Sequence, residues 1–133
     1  MTVDLKIGRM TRVLADEWND GRTLPWTEWL GPLPEEDGAN PDRIHAGHPT
    51  RIIAWGWVSD MFTAFPVLDD LLAGWNGTND WQLFPITAEL AQKTAIAPMP
   101  PEGTWYNDVA KWLKYWVRRA REEYGDEAGI LLT

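Results

Sequence analysis

Thr50-Arg-Ile-Ile-Ala-Trp-Gly-Trp-Val-Ser-Asp-Met-Phe-Thr-Ala64 is the most apolar stretch of the chain, and how its period is read decides the fold. As a helix capped by Thr50, it sets apolar residues at 52, 53, 55, 57, 58, 61, 62 and 65 around most of its circumference. That is the pattern of a central, buried helix. Its first half, Ile52 to Val58, also fits a buried strand, because period alone does not separate the two in a short apolar run. Gly56, between two tryptophans, permits a close backbone approach.

Downstream, Pro66 suits the first turn of a helix over 66–75. Val67, Leu68, Leu71, Leu72 and Trp75 form its apolar face. Asn76-Gly77 is a turn signal, and Asp80 to Pro85 reads as a connector carrying Trp81 and Phe84. A helix over 86–96 follows, with Ile86, Leu90 and Ile96 inward. Pro98, Pro100 and Pro101 end it and make 97–103 a stiff linker. The clearest helix is 104–124. Thr104 is its N-cap and Asp108 lies in the first turn, where the helix dipole favours a carboxylate. Trp105, Val109, Trp112, Leu113, Trp116, Val117 and Ala120 form one broad apolar stripe, and Gly125 suits its end. The tail from Asp126 to Thr133 reads as a docking strand or a frayed end.

Upstream, Val3, Leu5 and Ile7 alternate like a short strand. Ile7, Met10, Leu14 and Trp18 are then spaced 3, 4 and 4, which places them on one helical face. Asn19-Asp20-Gly21 is a stop signal. Residues 21–50 hold five prolines and an acidic tip, Glu35-Glu36-Asp37. They read as a long irregular loop, the first place to seek a binding element. The expectation is a mainly α, single compact domain spanning 1–133. It has about five helices around a Trp-rich core, a long Pro/Gly/acidic loop, and a short β pair between the N-terminal segment and Ile52–Val58.

Composition narrows the function classes. Ten tryptophans in 133 residues is several times ordinary usage, and there is no cysteine. Disulfide scaffolds, thiolate metal sites and cysteine nucleophiles are excluded. The absence of cysteine, of a secretory leader and of a long apolar run fits a cytoplasmic protein without a membrane span. The net charge of −8 is carried by residues 1–103, with 15 acids and 7 bases, while 104–133 balance at 5 and 5. Such a field disfavours direct nucleic-acid binding and favours a partner with a basic surface.

Four constellations carry the remaining chemistry. Lys111, Lys114, Arg118 and Arg121 line one face of the last helix, either a solvated face or a basic binding stripe. Asp42, His45 and His48 have chelating spacing but lack a fourth ligand, so neither a metal nor a cofactor is expected. The paired acids Asp16-Glu17, Glu35-Glu36 and Asp69-Asp70 read as solvated. Trp26, Trp29, Trp75, Trp81 and Phe84 lie in loops and either fold back as core or present platforms. Trp55, Trp57, Trp105, Trp112 and Trp116 are expected in the core. No nucleophile elbow or phosphate loop occurs.

The expected function is therefore non-catalytic protein–protein interaction by a small acidic module, with Trp26, Trp29, Glu35, Glu36, Asp37, Trp75 and Trp81 as contact residues. Small acidic inhibitors, immunity proteins and phage-encoded modulators share this profile, an analogy of composition alone. The alternative is a carbohydrate or small-molecule binder using the loop tryptophans.

Overall fold

The computed structural model describes residues 2–14, 23–35 and 48–133, and of 12–14 and 23–27 the backbone alone. It overturns the mainly helical expectation. The molecule is an α+β fold, a five-stranded antiparallel sheet with helices on one face. The strands are β1 (Thr2–Leu14), β2 (Thr23–Pro32), β3 (Thr50–Ala54), β4 (Gln82–Pro85) and β5 (Ala128–Leu132). Among the described residues the α-helices are α1 (Val58–Ala64), α2 (Val67–Leu71), α3 (Ala88–Ile96) and α4 (Trp105–Tyr124).

β1 organises the sheet. One edge pairs with β5 over Leu5 to Arg9. The other edge takes β3 over Thr2 to Lys6 and β2 from Gly8 to Leu14. Ile7 marks the changeover, since its N–H donates to the Pro49 carbonyl and its own carbonyl accepts from Leu33. The helix expected over Ile7 to Trp18 is strand as far as Leu14, and Trp18 lies outside the described residues. Register shifts between Arg9 and Met10, and again between Thr11 and Arg12, interrupt the ladder with β2, and bulges of this kind bend the strand. Ile7 faces the helices and Met10 the opposite side over Gly129, so burial on both faces of β1 places them at a spacing of three that also fits a helix.

The loop expected over 21–50 contains β2. It is an outer strand, the place where a sheet tolerates proline, and it holds Pro25 and Pro32. The stop signal at Asn19-Asp20-Gly21 lies outside the described residues. Thr50 to Ala64 splits between the two readings: strand to Ala54, a 3-10 turn at Trp55–Trp57, then α1. The connector Asp80 to Pro85 becomes a strand from Gln82, and the tail becomes β5, seated between β1 and β4.

The helical layer keeps closer to expectation. Thr87 caps α3 by accepting from the Leu90 N–H, and Thr104 caps α4 by accepting from the Asn107 N–H. The linker at 97–103 is pinned, because buried Asn107 donates its side-chain amide to the Pro100 carbonyl at 2.9 Å. Ile96, expected inward, is 71% exposed. Leu5, Ile7, Phe84, Ile130 and Leu132 face Trp112, Leu113, Trp116 and Val117, with Met61, Phe65 and Leu68 closing the core. Trp112 and Trp116 are fully buried. Each removes roughly 150–250 Å² from water, worth about 4–6 kcal/mol before ordering costs.

β5 is buried along its whole length. Ala128, Ile130 and Leu132 face the helices. Gly129 and Leu131 face the other way, where Met10 covers Gly129 so closely that a Cβ there would overlap the Met10 side chain. β2 and β4 approach one another, so the sheet curls toward closure on that face. Arg9 and Glu127 clamp β1 to the turn before β5 at 3.2 Å. The carboxylate raises the already high pKa of the guanidinium, but both groups are exposed and the pair adds little stability.

Candidate functional site

The sheet leaves one outer edge beside aromatic side chains. β3 pairs with β1 and, among the described residues, with no other strand. Asp4 exchanges both backbone hydrogen bonds with Thr133 on the far edge of β1, whereas Ile7 points its N–H toward the β3 side. Strand alternation then turns the amides of Arg51 and Ile53 toward β1, and those of Thr50, Ile52 and Ala54 outward.

Along this edge lies an open hollow of about 100 Å³, lined by Arg51, Ile52, Ile53, Ala54, Trp57, Trp105 and Val109. The sequence explains its walls. β3 ends at Ala54, and the Trp55–Trp57 turn swings Trp57 out from the sheet. Trp105 opens α4, and Val109 lies one turn on along the same face. The Trp57 and Trp105 rings stack at 5.2 Å, and Trp105 continues onto Tyr106 at 4.3 Å. Trp57 is 53% exposed and Ile52 62%. Arg51 stands at one end with no ion-pair partner among the described residues. Behind the hollow, Trp112 donates its indole N–H to the His48 carbonyl at 2.6 Å, which fixes the entry of β3 against α4.

The residues expected at a contact surface do not gather. Trp29 is half-buried on β2 opposite Met10. Trp26 lies on β2 opposite Arg12, its side chain outside the described residues. Trp75 is packed between Trp55 and Phe62 and donates its indole N–H to the Thr78 carbonyl at 2.7 Å, so it holds a turn together. Phe84 is core. Trp81 is 64% exposed but shares no ring contact with Trp29 or Trp75 among the described residues. Glu35 faces His48 at 3.2 Å. Glu36, Asp37, Asp42 and His45 lie outside the described residues. Among those described, no three His, Asp or Glu side chains group as metal ligands.

The basic face of α4 is largely engaged within the molecule. Lys114 donates to the Ala95 and Ala97 carbonyls at 3.0 and 2.6 Å, ending α3, and burial lowers its pKa. Arg121 binds the carbonyls of Ile86 and Gly125 and the carboxylate of Asp126. Arg118 pairs with Glu122 and lies over the Tyr115 ring. Among the described residues, Lys111 alone of the four is exposed without such a contact.

Sequence reasoning missed Trp57, placing it in the core with its neighbours. The strand reading of Ile52 to Val58 also kept Trp57 inside a buried element. The structure ends the strand at Ala54, and the Trp-Gly-Trp turn then projects one ring outward. Comparison with protein-family models, curated proteins and solved structures returned no match. Among the described residues no helix is long and apolar enough to cross a membrane.

Proposed function

We propose that this protein is a non-catalytic interaction module that binds another protein through the hollow at the β3 edge. The observation that carries this reading is the half-exposed Trp57, stacked on Trp105 beside the exposed Ile52. A clustered apolar surface with a polar rim marks an interaction site, and tryptophan is the residue type most often dominant in such sites. The net charge of −8 supports a partner with a basic surface, because it speeds encounter and rejects acidic competitors. An inhibitor or immunity-type role, covering the nucleic-acid groove of a basic enzyme, is the form of this reading that the charge favours.

The test is capture from native lysate on immobilised protein at low and moderate salt, read by mass spectrometry, with Trp57→Ala and Trp81→Ala alongside. A salt-sensitive partner held by the wild type and by Trp81→Ala, and reduced at least about tenfold on Trp57→Ala, supports the reading. Equal recovery on all three proteins overturns it.

A further inference from the structure

The interaction reading leaves the chemistry of the partner open, and the edge of β3 narrows it. Resting on that reading, we propose that the site captures an extended segment as an added antiparallel strand. The segment runs, from N- to C-terminus, large apolar, β-branched, acidic, with basic residues outside this core.

The pattern follows from the register. Thr50 and Ile52 offer their N–H and C=O groups outward, and Ala54 its N–H, while the Ala54 carbonyl serves the 3-10 turn, so an added strand exchanges both bonds with Ile52. The described sheet is antiparallel throughout, and an added strand of that sense continues it. The residue opposite Ile53 projects to the helix face, over the hollow walled by Trp57, Trp105 and Val109. It must be a large apolar side chain. The residue opposite Arg51 projects to the same face beside a guanidinium that has no ion pair among the described residues, and a carboxylate fits there. The residue between them faces Ile52 across the other side, where a β-branched partner packs best. Basic flanks meet the −8 field of the body. A second copy of this chain is the poorer occupant. Both copies carry that charge, and self-pairing about Ile52 would set Arg51, instead of an apolar side chain, opposite Ile53.

The probe is an acetylated and amidated heptapeptide, Lys-Ser-Phe-Val-Glu-Ser-Lys, titrated into the full chain by calorimetry and tryptophan fluorescence. Two N-methylated forms separate strand addition from simple docking. Methylating the valine nitrogen removes the N–H that bonds Ile52, and should abolish binding. Methylating the phenylalanine nitrogen, which points away from β3, should leave it within about threefold. Arg51→Glu should weaken the peptide about tenfold, and replacing the peptide's glutamate by lysine should restore binding to that variant. Ile52→Lys, at an exposed position that leaves the fold intact, should also lose the peptide.

Equal binding of both methylated forms overturns strand addition while leaving the hollow as the site. A peptide that fails to bind, while Trp57→Ala still loses its lysate partner, overturns the sequence pattern alone. Failure of both assays removes the site reading as well. A concentration-dependent dimer dispersed by Ile52→Lys overturns the proposal in favour of self-pairing.

Discussion

Replacing Gly129 by alanine tests whether the curl of the sheet is held by one contested volume. A Cβ at 129 would overlap Cγ, Sδ and Cε of Met10, and Met10 is itself fully buried. The new methyl therefore forces Met10 out of its rotamer or parts the strands. Overpacking of this kind costs about 1–3 kcal/mol, while Met10→Ala alone costs about 2–5 kcal/mol through the cavity it leaves. The two changes contest the same space, so the double variant should be more stable than their sum predicts by about 1–2 kcal/mol. Urea unfolding followed by tryptophan fluorescence measures all four corners of the cycle, with equal m-values as the check on two-state behaviour. Additivity within about 0.5 kcal/mol would refute the shared volume. Gly8→Ala is the contrast. Its Cβ would meet the Gly31 carbonyl and the Pro32 backbone, so no side chain can yield. It should lie at or above the top of the overpacking range.

Two further outcomes are expected. Thr104→Ala removes the cap of α4 and the hydroxyl bond to the Pro101 carbonyl; it should lower unfolding stability by about 1–2 kcal/mol, with Thr104→Ser close to wild type. Lys114 has its pKa lowered by burial from 10.5, so the unfolded chain binds its proton more tightly than the folded one; relative to Lys114→Met, wild-type stability should therefore rise with pH through the alkaline range approaching 10.5, and a flat difference in urea midpoints there would contradict the burial.

The helices were largely legible in the sequence and the sheet was not, for reasons local to particular residues. α4 declares itself because one face is buried and its cap, stripe and terminal glycine agree. β5 hides because it is covered on both faces, so Ala128 to Leu132 shows no alternation to read. β1 hides because Ile7 and Met10 are buried on opposite faces of the strand, at a spacing of three that also fits a helix. β2 is masked by prolines that only an outer strand accommodates. The site was missed for a related reason. Ten tryptophans invite a division into core and loop sets, yet exposure is set by where β3 stops. Trp55 and Trp57 are two residues apart, but only Trp57 reaches more than half its surface into solvent.

The seating of β5 between β1 and β4 also governs how this chain must find its structure. Its ladder joins residues 5–9 to 128–132, and even the Arg9–Glu127 clamp spans 118 positions of sequence. The helices can form from local signals, but the sheet requires its most distant segments to meet, an entropic search that places such topologies among millisecond-to-second folders. A single cleavage in the Pro98–Pro101 segment would place β1 and β4 on one fragment and the strand that joins them on the other. Recovery of native fluorescence on mixing the two fragments would then report the closure step by itself, as a second-order association.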